Sequence, residues 1–417
     1  MKPRPRRRAR YAACSLLLLV ASASLAGAPA AADGSPARSL PSPAAVKLGA
    51  SDASQYWDLT VDLENDYRVF ARFQITNQGP GENNATAIGH VVAPNGKATK
   101  FRNGRLESGW TLSKDRLDLD VGKSHFDMHL PRYSLRVNKS DVRIRLAFAP
   151  NALLRAPSRV TGKRYTVDLL ALGAAAKGTL RLGSKSNPEM PVTGFAALTH
   201  TIAKKDETDL ARRRIELVSQ RGTHPLYVVQ FLDDDQDKTS WAAWLEPRCD
   251  PAFDPKPFPD VKPASGETDT RKAESALRRC IRVIHSSLKI EVEGRRATKG
   301  RGKRGEKDPY WIPPRFRVTT SVPRMTSTPP AAPTGPVNAL DGQVTTGARL
   351  LKYKALDDLP GPIRFLARLS TRPMRVWSVA SFDVTLPPSL DSEPKSIQTI
   401  QSPGVAIVSF LNPVTRP

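Results

Sequence analysis

From Tyr56 onward the chain alternates apolar and polar residues with a period of two. Val142, Ile144, Leu146 and Phe148 are interleaved with Arg143, Arg145 and Ala147, and Tyr165, Val167 and Leu169 with Thr166 and Asp168. In the second half Leu288, Ile290 and Val292 alternate with Lys289, Glu291 and Glu293, and Phe316 and Val318 with Arg315 and Arg317. Successive strand residues face opposite ways, so this pattern predicts strands with one dry and one wet side. The longest run, 374–386, puts Met374, Val376, Ala380, Phe382, Val384 and Leu386 on one face. Turn-forming residues at Asn77 to Gly81, Pro94 to Gly96, Asn103-Gly104 and Asp233 to Lys238 punctuate the runs at hairpin spacing. The expectation is an all-β, antiparallel chain. One short helix is expected in a long insertion, 246–287, where Ala273, Leu277, Cys280, Ile281 and Ile284 recur at intervals of three and four.

Length turns that pattern into two units. The chain has 417 residues, of which 39 % are hydrophobic. That is too apolar for a disordered chain and too long for one small core. The strand-rich halves are of similar size and the chain turns polar between Ala203 and Arg214, so the domains are expected at 51–202 and 203–417. The second carries insertions at 246–287, 295–308 and 323–345. No sequence repeat relates the halves. The 37 prolines exclude long helical arrays.

Part of the net charge of +24 belongs to a leader. Residues 1–10 hold six basic residues and no acid, and the uncharged run Tyr11 to Ala32 is centred on Leu16 to Val20 and followed by small residues at Ala26-Gly27-Ala28 and Ala30 to Ala32. This is the pattern of a cleaved signal peptide, 1–32, directing the protein to the periplasm or beyond; an uncleaved anchor is the competing reading. The Ser/Pro/Ala-rich 33–50 reads as a flexible tether. Three cysteines exclude a disulfide-dense scaffold and any multi-cysteine metal site. In an exported protein Cys249 and Cys280 are expected to pair, which would stabilise by about 3–4 kcal/mol through the unfolded state. The place of Cys280 on the apolar side of the helix argues for two buried thiols instead.

Candidate chemistry is sparse. In His125-Phe126-Asp127-Met128-His129 a strand turns the two histidines and Asp127 one way and Phe126 and Met128 the other. At ~3.3 Å per residue the histidines stand roughly 13 Å apart, too far to share a metal. Asp127 is within reach of either, so an acid–histidine couple competes with a solvated outer face. Asp233, Asp234, Asp235 and Asp237 resemble the opening of a calcium loop, but Lys238 and Trp244 stand where glycine and glutamate are needed. The sequence has no serine nucleophile elbow, phosphate-binding glycine loop or His-Glu-x-x-His segment. Arg295 to Lys307 holds seven basic residues and one acid, without an aromatic residue before Tyr310 and Trp311. That composition suits an anionic envelope surface better than nucleic acid.

An aromatic opening strand, Tyr56-Trp57-Asp58-Leu59-Thr60, leads to Gln74-Ile75-Thr76-Asn77-Gln78-Gly79, then Asn95-Gly96, Trp110-Thr111-Leu112-Ser113, the strand 141–148 and Pro191-Val192-Thr193-Gly194-Phe195-Ala196-Ala197-Leu198-Thr199-His200. In this order the segments resemble the lipocalin-like family that includes AttH-type proteins, survival-factor-type proteins and bacterial carotenoid hydratases. The resemblance implies two tandem lipocalin-like β-barrels with an apolar ligand space within or between them. Hydratase-like members carry an aromatic residue and an acid after the glycine of the last segment, where this chain has Ala197, Leu198, Thr199 and His200. The missing acid argues against an enzyme. It favours a monomeric exported protein, without metal or cofactor, that binds a lipid or isoprenoid, with Trp57, Trp110, His200, Trp241 and Trp244 as candidate contacts. The alternatives are a carotenoid hydratase-like or isoprenoid cyclase-like enzyme using His200 or Asp127 as proton donor, and a secreted module docking on an anionic partner.

Overall fold

The computed structural model describes residues 48, 53–77, 82–112, 118–129, 132–139, 141–148, 159–161, 164–205, 210–232, 238–245, 281–285, 288–293, 312–320, 340–354, 373–386 and 398–411. The leader, all of the tether except Leu48, the Asp233 to Asp237 turn, Cys249, Cys280 and the basic run Arg295 to Lys307 lie outside the described residues.

The first sheet contains β1 (Ser54–Leu63), β2 (Arg68–Thr76), β3 (Asn84–Val92), β4 (Ala98–Arg105), β5 (Trp110–Leu112), β6 (Asp118–Val121), β7 (Ser124–His129), β8 (Arg132–Asn138), β9 (Val142–Phe148), β10 (Arg159–Thr161), β11 (Tyr165–Leu182) and β12 (Met190–Ala203). The second contains β13 (Arg213–Ser219), β14 (Leu226–Leu232), β15 (Lys238–Leu245), β16 (Ile281–His285), β17 (Leu288–Glu293), β18 (Arg315–Thr320), β19 (Asp341–Lys354), β20 (Met374–Leu386) and β21 (Gln398–Phe410). Every pairing is antiparallel. The first sheet runs β4-β3-β2-β1-β12-β11-β9-β8-β7-β6-β5, with β10 added beside β11, and the second runs β16-β15-β14-β13-β21-β20-β19-β18-β17. In each, the last strand returns to pair with the first, and the ladder is interrupted only after the fourth strand. The result is two nearly closed barrels built to one plan. The repeat absent from the sequence is present in the topology.

Alternation explains the barrel interiors. Along β9 Val142, Ile144, Leu146 and Phe148 are buried while Arg145 is exposed. The first interior is filled by Trp57, Phe73, Phe126, Tyr133 and Phe148, with Phe73 stacked on Phe126 at 5.1 Å. Trp244, Phe316, Met374 and Phe382 fill the second. Where the first barrel's ladder is interrupted, side chains bridge the gap: the Trp110 indole donates to the Asn83 carbonyl at 2.7 Å, and Asn103 of β4 donates to Ser124 of β7.

The expectation of one wet face fails at the junction between the barrels. Strands β1, β13 and β14 are buried on both sides, because their outward residues meet the other barrel. Tyr165, Val167, Leu169 and Ala197 of the first barrel pack with Val218, Tyr227, Val229, Phe231 and Trp241 of the second, and Tyr165 stacks on Phe231 at 4.1 Å. Each such aromatic removed from water contributes about 2–3 kcal/mol. Strand β11 then changes its allegiance through register shifts between Leu169 and Ala174, beyond which Ala174, Ala176 and Leu180 face the first interior. Gly173 sits in that irregularity at φ +59°, and a Cβ there would meet Pro225 Cγ at 2.4 Å.

The described end of the predicted helix differs from expectation. Ile281–His285 forms β16, paired with β15. Its β-branched Ile281, Val283 and Ile284 favour an extended chain, and the open edge of β15 supplies the backbone partners. Ala273, Leu277 and Cys280 lie outside the described residues.

Candidate functional site

A cleft of about 130 Å³ opens between the outer faces of the two barrels. Strand register builds both of its walls. On the first barrel Thr199, Asp58, Arg72 and Ile88 are successive cross-strand neighbours from β12 to β3, and Ala197, Thr60, Phe70 and His90 form the next row. On the second, Arg214, Ser409, Arg375 and Tyr353 make one row, with Glu216, Ile407, Trp377 and Leu351 beside it. These side chains point outward from their barrels yet are shielded, because each wall covers the other.

Asp58 is the centre of the charged part. The Arg72 Nε and Nη2 atoms donate to its two carboxylate oxygens, both at 2.7 Å, while Arg375 Nη1 reaches Oδ1 at 3.3 Å and Arg214 Nη1 lies 3.9 Å from Oδ2. The planar Arg72 group also lies over the Tyr56 ring, 3.9 Å from its centroid. Fully buried Arg214 donates to Glu216 at 2.7 Å and to the Tyr56 hydroxyl at 3.3 Å, and the Tyr227 hydroxyl donates to the same Glu216 oxygen at 2.8 Å. The Arg375 Nε donates to Ser409 at 2.9 Å.

Burial alone would raise the Asp58 carboxyl. The charges of Arg72, Arg375 and Arg214 outweigh burial and hold it well below the usual carboxylate range. Burial, and then the adjacent Glu216 charge, push the Tyr227 phenol well above its ordinary value, so it remains a neutral donor. Burial opposes the charge of Arg214, but Glu216, Tyr227, Tyr56 and Asp58 together more than compensate and hold the guanidinium well above its ordinary value. Beside this polar group His90, 7 % exposed, meets Tyr353 edge-on at 5.5 Å and lies 6.3 Å from Trp377. Phe70, Trp377, Ile407 and Leu411 supply apolar walls.

The residues expected at a ligand mouth or at the junction are spread over several places, and of them Trp241 lies at the junction. Trp57 and His200 face each other across β1 and β12 and stack inside the first barrel at 4.6 Å. Trp110 lies half-buried at the interruption of that barrel, Trp241 is buried in the apolar contact between barrels, and Trp244 belongs to the second interior. None of the five expected residues lines the cleft. The resembling segment does reach it, through Ala197 and Thr199, while Leu198 and His200 turn inward.

The other predicted cluster also changes partners. His125 bonds Asp120 at 2.8 Å through Nδ1 and faces Asp118 at 3.3 Å through Nε2, whereas Asp127 stands opposite Asp118. Asp118, Asp120 and His125 bring ligand atoms within 4.8 Å of one another, a spacing that could hold a cation. His129 adds no described side chain. Sequence reading missed both carboxylates because they arrive from the neighbouring strand.

No family model matches the chain, and no curated protein does. Solved structures do. A putative AttH protein from Nitrosomonas europaea superposes with a TM-score of 0.53 at 14 % identity, covering 92 % of this chain and all 100 % of that one. The chain shares its tandem-barrel fold. CghA solved with Sch210972 follows at a TM-score of 0.49, 12 % identity and coverage of 89 % and 96 %. A kievitone hydratase from Nectria haematococca gives 0.47, 10 % identity and coverage of 90 % and 94 %.

The expectation that the missing acid speaks against an enzyme is corrected by the acids of this chain itself, which are present among the described residues in two clusters, around Asp58 and Glu216 and around Asp118, Asp120 and His125. The empty acid position lies on β12, but Asp58 is the direct cross-strand neighbour of Thr199. A reading confined to one segment could not see a carboxylate supplied by the next strand.

Proposed function

We propose that the protein is an enzyme of the hydratase or cyclase type that performs acid–base chemistry, without redox change, on an apolar unsaturated molecule held between the barrels. The observation that carries this reading is the cleft itself, where apolar walls enclose ionised groups and an imidazole. Sites of this make-up, with a few convergent polar groups in an apolar concavity, suit small-molecule chemistry. His90 is the proton carrier in this reading, since an imidazole can donate and accept near neutral pH. Arg72 and Arg375 face charge that develops on substrate oxygen, and Asp58 fixes their orientation. Asp58 itself is not the proton donor, because its neighbours keep it ionised.

The test is incubation of purified protein with apolar polyenes in isotopically labelled water, read by mass spectrometry. Hydration adds one labelled oxygen, and cyclisation through protonation places one solvent hydrogen on carbon while the resulting carbocation releases another proton, so that one hydrogen is exchanged for label. Either signal should fall at least about a hundredfold in His90→Gln, within the range that general acid–base groups contribute. Undiminished turnover in that variant would remove His90 from the mechanism. Export is part of the same proposal and rests on the leader; the mass of the mature chain from cell fractions checks it.

A further inference from the structure

We infer that Glu216 is the general base of the cleft, holding a water or a ligand hydroxyl on its second carboxylate oxygen and taking its proton; the inference rests on the reading of the cleft as the substrate site. The Oε1 atom of Glu216 accepts from Arg214 Nη2 at 2.7 Å and from the Tyr227 hydroxyl at 2.8 Å. Among the described residues none donates to Oε2, although the side chain is only 5 % exposed and lines the cleft. A shielded carboxylate oxygen without a donor is costly, and a hydroxyl brought into the cleft relieves that cost. The two donors on Oε1 are themselves fixed. Arg214 also reaches the Tyr56 hydroxyl and lies over the Phe231 ring at 5.2 Å, and Tyr227 meets Trp241 edge-on at 5.5 Å. The carboxylate is therefore held in one orientation by its neighbours, as a base must be.

Glu216 comes from the second barrel and His90 from the first, so acid and base stand on opposite walls. Glu216, Ile407 and Trp377 are successive cross-strand neighbours, and His90 lies 6.3 Å from Trp377. With strands about 4.8 Å apart, Glu216 and Trp377 are roughly 10 Å apart at the backbone. A similar separation, roughly 6.5–9.5 Å, leaves room for a water between substrate and base in inverting glycosidases. Ile407 of one wall and Phe70 of the other supply the apolar ground for a carbon–carbon double bond. His90 gives its proton to one alkene carbon, and the π electrons form the new C–H bond. The water oxygen on Oε2 bonds the neighbouring carbon, and one water proton passes to Glu216. Alkene and water become an alcohol, while the proton lost by His90 and gained by Glu216 equilibrates through solvent. A carboxylate that holds water beside the reacting carbon favours hydration over cyclisation. In the reverse direction the alcohol presents its O–H to the same oxygen.

The experiment uses the full chain and two fluorescent polyene probes, retinol and its methyl ether, which differ in one O–H donor. Retinol should bind at least about tenfold more tightly than the ether, as expected for a hydrogen bond to a charged acceptor. In Glu216→Gln the amide oxygen stays with Arg214 and Tyr227 and an N–H group replaces Oε2, so the two affinities should come within about twofold of each other. Glu216→Asp keeps a carboxylate and should retain part of the preference. A loss of stability alone would lower both affinities together and leave their ratio unchanged. Melting curves confirm that the variants fold, and if Glu216→Gln does not, the alcohol-to-ether ratio of the wild-type protein decides alone. Equal binding of alcohol and ether by the wild-type protein, or a preference that survives in Glu216→Gln, would overturn the role of Glu216 and leave the apolar cleft reading intact. Binding of neither probe would overturn both.

Discussion

The cleft between the barrels and the β6–β7 hairpin both set carboxylates against cationic or ionisable groups at nearly the same distance, 2.7 Å for Arg72 and Asp58 and 2.8 Å for His125 and Asp120. Their surroundings differ. Asp58 and Arg72 are 15 % and 12 % exposed as side chains, whereas Asp120 is 53 % exposed. Bond length is therefore a poor guide to strength here. In the cleft the surrounding protein replaces water, so each charge depends on its partners; on the hairpin water and salt can take a partner's place. A pair in the second setting is easily exchanged, while a member of the first cannot be removed without stranding the others.

The largest break in this comparison is Asp58→Asn. It leaves three guanidinium groups facing one another with their shared anion gone, and should destabilise by about 4 kcal/mol. The shift in urea midpoint measures this; a loss below about 1 kcal/mol would show that water reaches the cluster freely. Acid dependence sharpens the point. The folded Asp58 carboxyl titrates below its unfolded counterpart, so the unfolded state binds the proton first. Its contribution is complete above about pH 4, the unfolded value, and is lost as pH falls toward the folded value. Stability of the wild-type protein between pH 4 and 2 should fall more steeply than that of Asp58→Asn.

Next in size is Arg214→Met, which strands Glu216 in the junction and should cost about 3 kcal/mol. Adding Glu216→Leu and Tyr227→Phe removes the stranded groups together with their needs, so the triple variant should regain most of the loss. If the triple variant is as unstable as the sum of its parts, the three groups act independently and are not one buried unit.

The barrels were legible in the sequence because period-two alternation survives wherever a strand has one face toward water, as in β9 and β20. At the junction the same rule misleads. Leu226 to Leu232 is apolar on both faces except for Gln230, and the partner that dries its outer face is another barrel. The candidate site was hidden for a related reason. Tyr56-Trp57-Asp58 drew attention through its tryptophan, yet Trp57 points inward and the functional interest lies on Asp58, facing the other way. Arg72, Arg214 and Arg375 lie 14, 156 and 317 residues along the chain from it. No local spacing links them. The signal that could have been used is a charge flanked by apolar residues within a strand, such as Glu216 in Ile215-Glu216-Leu217-Val218, because such a charge must meet its partner across a buried face.

The smallest expected effect is at the hairpin. His125→Gln keeps a hydrogen-bonding side chain between Asp118 and Asp120 but removes the imidazole, and should cost no more than about 1 kcal/mol at low ionic strength. Salt separates this site from the cleft. At 1 M salt, where the Debye length is about 3 Å, the cost of His125→Gln should vanish within error, while the cost of Asp58→Asn should largely persist because Asp58 and Arg72 are only 15 % and 12 % exposed. Urea unfolding of both variants at low and high salt makes the comparison. A His125→Gln loss that matches Asp58→Asn and withstands salt would mean that the hairpin cluster is as enclosed as the cleft, and the contrast between the two regions would fail.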